Sequence, residues 1–221
     1  MDQKTNTVFR AEFKFTVSGD LRFCSHHDMM RAIERTVSRA GVELRYTQGF
    51  NPRPVMSLSV PRPVGIVSFD DRLVVAFDEC VNLDEITAKL NAQSPKGLQF
   101  ISAKFLNSKK PPQASAVSYK LALESDELSN VASRIEELNS HKSWFVGRKV
   151  KSRRNKRREE PITKEIDLRP RIADLHVANN EVFFTCQPVD GSWAKPREIL
   201  GLIGLPDHAN ISRLVRLRII D

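Results

Sequence analysis

The chain has 221 residues, of which 40% are hydrophobic and 28% charged, and its formal net charge at pH 7 is +8. This composition is ordinary for a folded globular protein and argues against disorder throughout the chain. No run approaches the roughly 20 apolar residues that a membrane span needs. The start, MDQKTNTVFR, has no apolar signal core, so we expect a cytoplasmic protein without membrane contact.

The excess positive charge lies in one segment. Residues 148–158, RKVKSRRNKRR, hold eight of the 35 lysines and arginines and no acidic residue, so the other 27 basic residues are matched by 27 acidic ones. Charge concentrated in this way favours a polyanionic partner, and we expect RNA phosphates. A solvated loop and an acidic protein surface are the alternatives. The expected phosphate-binding residues are Arg148, Lys149, Lys151, Arg153, Arg154, Lys156, Arg157 and Arg158.

The first half of the chain predicts a β-α-β-β-α-β order. Apolar alternation predicts the strands, and the 3-4-3 spacing of apolar residues predicts the helices. The strands are predicted at 8–17, 55–60, 72–77 and 98–106, and the helices near 26–40 and from Asn82 or Asp84 to Pro95. This order is that of two split βαβ units on an antiparallel sheet, the ferredoxin-like plan.

The first helix carries the most distinctive local signals. Ser25 suits the N-cap, with Asp28 in the capping-box position, and Gly41 suits the C′ position. The predicted inward face is Met30, Ile33, Val37 and Ala40. Arg31, Arg35 and Arg39 recur every four residues, so one side of the helix carries a basic row that could extend an RNA-binding surface.

The second half predicts another α+β lobe. Residues 107–115 are polar and contain two prolines, so they are predicted to link a lobe at 1–106 to a lobe at 116–221. The predicted strands are 118–123, 144–150, 165–168, 175–177, 181–186 and 211–220, with a hairpin-type turn at Asn179-Asn180, and the predicted helices begin at Ser125 and Pro196. Overall, we predict an α+β protein of two ferredoxin-like lobes with antiparallel sheets.

One candidate pocket lies where the first helix begins. His26, Asp28, Asn51 and Arg53 are expected to meet at the rim between the helix start and the Gly/Pro-rich loop GFNPRP. His26 or His27 could also serve as the base of a metal-independent endoribonuclease. Adjacent histidines on a helix point about 100° apart, which disfavours joint binding of one ion.

The cysteines predict no cofactor. Cys24, Cys80 and Cys186 are far apart and odd in number, so they form neither a disulfide framework nor an iron–sulfur motif. We therefore predict neither a metal site nor a bound cofactor. The sequence carries no signal for an oligomeric state.

Residues 19–54, GDLRFCSHHDMMRAIERTVSRAGVELRYTQGFNPRP, resemble the signature GDLRFxSHxDxxRAxERAxRRAGxxxxYSxGFNPxP of radical-SAM-associated bacterial proteins. That domain family has no determined function and is often attached to the C-terminus of radical SAM enzymes with a cobalamin-binding-type region. Stretches at 63–68, 166–170 and 195–200 are similar as well. The sequence departs from the pattern at His27, usually aliphatic, at Cys24, commonly Leu, and at Arg53, frequently His.

The resemblance implies an accessory domain that handles a substrate or partner for a separate radical SAM protein, which would supply the cluster. The strand, helix and Gly/Phe/Pro loop are also similar to RNA-processing CRISPR ferredoxin-like proteins, a likeness of fold alone. Together with the basic segment, these observations predict a non-catalytic module that binds RNA, either tRNA or ribosomal RNA. The alternatives are the endoribonuclease and a protein-binding adaptor for a radical SAM enzyme.

Overall fold

The computed structural model describes residues 7–108, 112–150, 162–205 and 210–221. These residues form an α+β fold, as predicted from the sequence. The helices are α1 (His26–Arg39), α2 (Leu83–Gln93), α3 (Leu128–Ser140) and α4 (Pro196–Leu202). The strands are β1 (Phe9–Val17), β2 (Met56–Leu58), β3 (Val67–Phe77), β4 (Leu98–Leu106), β5 (Ala116–Ala122), β6 (Phe145–Val150), β7 (Ile162–Asp167), β8 (Ile172–Ala178), β9 (Glu181–Cys186) and β10 (Leu214–Ile220).

The chain divides into two compact units. Unit 1 comprises Met1–Ser115 together with Val215–Asp221, and unit 2 comprises Ala116–Leu214. The sequence assigned all of residues 116–221 to the second lobe, whereas the last seven residues group with unit 1. They do so because β10 pairs in parallel with β3, Val215 opposite Val67 and Arg216 opposite Ser68.

Unit 1 has the split βαβ arrangement. β1 pairs antiparallel with both β3 and β4, and β2 pairs antiparallel with β3. The order β4-β1-β3-β2 therefore places α1 and α2 as the crossover helices of two interlocked βαβ units. β3 is longer than predicted, since Ser68, Asp70 and Asp71 continue the strand although they are polar.

The core of unit 1 lies between its sheet and the helices α1 and α2. Alternate residues of β1 are buried, as the sequence pattern predicted. The buried residues of α1 are Met29, Ala32, Ile33, Thr36 and Val37. The buried face differs from the predicted one, because Met30 and Ala40, which were predicted to face inward, are only half-buried. Thr36 can be buried because its hydroxyl donates to the Ala32 carbonyl at 2.9 Å.

Unit 2 repeats much of this order. β5 and β8 both pair antiparallel with β9, and the elements β5-α3-β8-β9-α4 follow the sequence β1-α1-β2-β3-α2 of unit 1. Asn179 and Asn180 have φ of 51° and 59° and form the tight turn predicted between β8 and β9. The antiparallel hairpin of β6 and β7 is inserted between α3 and β8.

α3 begins at Leu128 and not at Ser125. The Glu127 carboxylate accepts the backbone N–H of Glu124 at 2.9 Å, which closes a turn before the helix. The same carboxylate binds the Arg213 guanidinium with contacts of 2.9 and 2.6 Å. Hydrogen bonds outside the helix therefore override the local Ser125 capping signal.

Candidate nucleic-acid interface

The start of α1 is built as the sequence predicted. The Ser25 hydroxyl accepts the Asp28 backbone N–H at 3.2 Å and donates to the Asp28 carboxylate at 2.7 Å. That hydroxyl bond, with help from Arg31, Ser25 N–H and His27, holds the pKa of Asp28 below its ordinary value. A negative charge at this point also suits the positive end of the helix dipole.

The loop after α1 closes on itself. Thr47 N–H donates to the Arg53 carbonyl at 2.8 Å, and Arg53 N–H donates to the Thr47 hydroxyl at 3.0 Å. A β-bridge between Tyr46 and Pro54 seals the base of this loop. Phe50 lies at the tip with its side chain fully exposed. The Phe50 side chain therefore makes no contribution to the core.

A cleft of about 300 Å³ lies between α1 and this loop. Four of its lining side chains can carry charge, namely His27, Arg31, Glu34 and Arg53, and Met30 and Pro54 complete the walls. We call this the α1–loop cleft. Sequence reasoning named three of the four charged residues and missed Glu34, which occupies the turn of α1 after Arg31.

The predicted pocket residues are not all brought together. Arg53 lines the α1–loop cleft, and Asp28 is exposed beside Arg31 at 3.6 Å. Asn51 is exposed and lines none of the described clefts. His26 lies in a separate crevice, where it meets Cys24, Arg62 and Asp71. His27 instead lines the α1–loop cleft, although the rings of His26 and His27 are only 5.8 Å apart and nearly perpendicular.

Below the His26 crevice lies a buried charge network that the sequence did not reveal. Asp71 accepts hydrogen bonds from Arg216 at 3.0 Å and from the Ser68 hydroxyl at 2.6 Å, and Arg62 lies 3.4 Å away. Burial lowers the pKa of Arg62, although Asp71 opposes the shift. Two guanidinium groups thus share one buried carboxylate.

This network fixes the GDLRF motif in place. Gly19–Phe23 forms a 3-10 turn, and Arg62 binds two of its carbonyl groups. The Arg62 guanidinium donates to the Arg22 carbonyl at 2.8 Å and to the Leu21 carbonyl at 3.3 Å. Arg62 therefore connects the turn before α1 to Asp71 on β3.

The basic row on α1 is exposed, and two of its members already have partners. Arg31 is paired with Asp28, and Arg39 donates to the Gln93 carbonyl at 2.9 Å at the end of α2. Arg35 is exposed between them. Exposed pairs of this kind contribute about 0–1 kcal/mol, so a phosphate can compete for Arg31.

The start of the basic segment lies on β6, and its first residue is engaged internally. The Arg148 guanidinium binds both oxygens of Glu198, at 2.7 and 2.6 Å, and also donates to Ser192 and to the Trp193 carbonyl. Both side chains are largely buried. The Arg148 guanidinium, which the sequence predicted to hold a phosphate, is thus engaged within the protein. Lys149 is exposed on the other face of β6.

The remaining predicted phosphate-binding residues fall outside the described part of the chain. They are Lys151, Arg153, Arg154, Lys156, Arg157 and Arg158. Of the two aromatic residues before them, Trp144 is buried and donates its indole N–H to the Leu138 carbonyl at 2.6 Å, whereas Phe145 is exposed. Phe145 is thus the one of this pair that could stack on a base.

The foot of the hairpin is held by Asp167. Its carboxylate accepts the backbone N–H groups of Trp144 and Arg169 at 2.8 and 3.0 Å. Burial opposes ionisation, but these bonds outweigh it and lower the pKa of Asp167. The Arg169 guanidinium stacks over the Trp144 ring, 4.9 Å from its centroid, and adds a second contact at this corner.

Two further features bear on the class of site. In the part of the chain that the structure describes, no three His, Cys, Asp or Glu side chains are grouped to hold a metal ion. None of the helices among the described residues is long and apolar enough to cross a membrane.

Comparison with models of protein families places the chain in a known family. A family model described as an uncharacterized protein conserved in bacteria (DUF2344) matches residues 10–196. This range contains the α1–loop cleft, the His26 crevice and the β6–β7 hairpin. A search of curated proteins gave no match.

Proposed function

The chain belongs to the DUF2344 family of bacterial proteins, and on that premise we propose that it is a non-catalytic accessory module that binds RNA and works with a separate radical SAM protein. The RNA would be a tRNA or a ribosomal RNA. The observation that carries the proposal is the location of charge: residues 148–158 account for the whole net excess of basic residues in the sequence. With Arg148 paired to Glu198, the phosphate contacts would come from Lys149 onward.

Two physical arguments support RNA over an acidic protein. Each phosphate that a lysine or arginine neutralises releases condensed counterions, so a dense basic run gains most from a polymer of regularly spaced charges. The exposed Phe145 at the base of the hairpin adds a ring on which a base could stack. The association with a radical SAM protein is supported by the resemblance of residues 19–54.

The test compares two variants that lose the same charge. One carries Lys149→Gln, Arg153→Gln and Arg154→Gln, and its control carries Lys89→Gln, Lys96→Gln and Lys142→Gln, three exposed lysines elsewhere. Binding of labelled tRNA and ribosomal RNA is measured from about 50 to 200 mM salt. The first variant should lose at least tenfold in affinity at about 150 mM, with a salt slope shallower by about 0.7–0.9 for each contact removed. The control should bind within about twofold of the wild type.

Two outcomes would contradict the proposal. Equal affinity of the first variant and the wild type would favour the protein-binding adaptor. Specific cleavage of the RNA with EDTA present, lost in His26→Ala/His27→Ala, would show an endoribonuclease. The radical SAM association is tested separately by size-exclusion chromatography of the chain with the radical SAM proteins of the same genome, and co-elution with none of them would overturn it.

A further inference from the structure

The α1–loop cleft combines positive charge with one carboxylate. Arg31 and Arg53 enter from the helix and the loop respectively, and His27 lies at the same opening. Two guanidinium groups facing one cleft suit a phosphate, because each presents planar donors to its oxygens. Arg31 also forms an exposed ion pair with Asp28, with 3.6 Å between the guanidinium nitrogen and the carboxylate oxygen.

Glu34 restricts what the cleft can accept. Its half-buried carboxylate lines the same cavity and would repel a ligand that is anionic throughout. It would instead accept a hydrogen bond from a hydroxyl group. A ribonucleotide offers both parts, a phosphate for the arginines and a ribose 2′-hydroxyl for the carboxylate.

The loop beside the cleft presents an aromatic ring. Phe50 lies three residues before Arg53, at the tip of a loop closed by two Thr47–Arg53 hydrogen bonds. The ring is fully exposed, although burial of such a side chain is ordinarily favourable by about 1.5–3 kcal/mol. An aromatic ring that is exposed at the tip of such a loop is suited to stacking on an unpaired base.

We propose that the α1–loop cleft binds one unpaired ribonucleotide of the RNA. Its phosphate meets Arg31 and Arg53, its ribose hydroxyl donates to Glu34, and its base or a neighbouring base stacks on Phe50. This inference rests on the proposed RNA-binding function but concerns a different surface, in unit 1. It assigns recognition of single-stranded nucleotides to unit 1 and leaves neutralisation of the RNA backbone to the basic segment.

The test uses the full chain and a short single-stranded oligonucleotide. A fluorescent tetraribonucleotide is titrated into the wild type and into Phe50→Leu, with Phe69→Leu as the control at another exposed phenylalanine. Phe50→Leu should weaken binding at least about fivefold, while Phe69→Leu leaves it within twofold. Arg31→Gln/Arg53→Gln should weaken binding more than Lys89→Gln/Lys96→Gln, which removes the same charge outside the cleft.

The role of the Glu34 carboxylate is tested by comparing the affinities for RNA and DNA oligonucleotides. The wild type should prefer the tetraribonucleotide to the same deoxyribonucleotide, and Glu34→Ala should remove that preference. Urea unfolding midpoints of all variants, measured in parallel, identify any loss that comes from misfolding. Rescue of the preference by Glu34→Gln, whose amide oxygen also accepts a hydrogen bond, would support direct contact with the hydroxyl.

The failure of this inference is distinguishable from failure of the proposed function. If long RNA binds through the basic segment while the cleft variants and their controls bind the tetranucleotide equally, the inference is overturned and the proposed function stands. If neutralising residues in 149–158 leaves the affinity for long RNA unchanged but the cleft variants lose tetranucleotide binding, the proposed role of the basic segment is overturned. The assignment of nucleotide binding to the α1–loop cleft then stands.

Discussion

In unit 1 the guanidinium of Arg216 lies 3.0 Å from the carboxylate of Asp71, with side chains that are 0% and 7% exposed. The two residues are 145 positions apart in the chain. Arg216 also donates to the carbonyl groups of Val60 and Pro61, at 3.2 and 3.0 Å. Through Arg216 the final strand, β10, is therefore bonded both to β3 and to the segment that leads into β3.

Replacing the shared carboxylate should destabilise unit 1 strongly. Asp71→Asn keeps the shape of the side chain but leaves Arg62 and Arg216 buried without their counter-ion, which we expect to cost about 3–5 kcal/mol. Urea unfolding followed by circular dichroism measures the change. The matched control is Asp78→Asn, whose partner Arg45 is 2.8 Å away but whose side chain is 64% exposed. The control should change stability by less than about 1 kcal/mol, and equal losses in both variants would contradict the prediction.

Neighbouring residues of the basic segment should behave in opposite ways. Arg148→Gln leaves the Glu198 carboxylate largely buried without its ion pair, so the free energy of unfolding should fall by about 2–3 kcal/mol. Lys149→Gln alters an exposed side chain, and its stability should stay within about 0.5 kcal/mol. Its RNA salt slope should instead become shallower by about 0.7–0.9.

Urea unfolding and salt-dependent RNA binding are measured on both variants. A loss of stability in Lys149→Gln together with unchanged stability in Arg148→Gln would show that the internal pair is wrongly assigned. It would also return Arg148 to the set of residues available to phosphates.

The sequence predicted those parts of the fold whose signals are local. The alternation of β1, the Ser25 cap of α1 and the Asn179–Asn180 turn each depend on residues within a few positions, and the structure confirms all three. The helix face was less well predicted, because Thr36 is buried through a backbone hydrogen bond that its polar identity conceals.

The buried network could not be predicted because its members are distant in sequence. Asp71 and Arg216 look like ordinary surface charges until β10 is placed beside β3. For the same reason β3 was predicted to begin at Arg72 when it begins at Val67. The α1–loop cleft was partly predicted, since the Gly/Pro loop and the helix start are close in sequence. Glu34 was missed because a single acidic residue between Arg31 and Arg35 carries no distinctive signal.

The stability of unit 2 should depend on pH through Glu127. The hydrogen-bonded Arg213 guanidinium holds the pKa of Glu127 below its ordinary value of 4.5. A carboxyl group with a lowered folded-state pKa stabilises the fold above its ordinary pKa, and this contribution is lost as the pH falls through the folded-state value. We therefore expect the contribution, about 1 kcal/mol for a partly exposed pair, at pH 7 and its disappearance toward pH 3.

Urea unfolding of the wild type and Glu127→Gln between pH 7 and pH 3 measures this contribution. The variant should be less stable at pH 7, and the two proteins should converge in acid. Arg213 also donates to the Asn210 side chain and to the Ala122 carbonyl, so we expect its position to be retained in the variant. A constant difference between the two proteins across this range would show that protonation of Glu127 is not the cause.

Gly97 should tolerate no side chain. Its φ is +93°, and a Cβ there would lie 2.4 Å from the backbone oxygen of Ser18, which cannot move aside easily because the Gly97 carbonyl accepts the Ser18 N–H at 2.8 Å. Gly97→Ala should therefore cost about 1–2 kcal/mol for the left-handed backbone and a further 1–3 kcal/mol or so for the clash. Gly191→Ala separates the two costs, since Gly191 has φ of +69° with nothing within 4 Å of the added carbon. If urea unfolding gives the same loss for both variants, the close approach of Ser18 to Gly97 does not constrain the fold, and the backbone conformation alone accounts for the glycine.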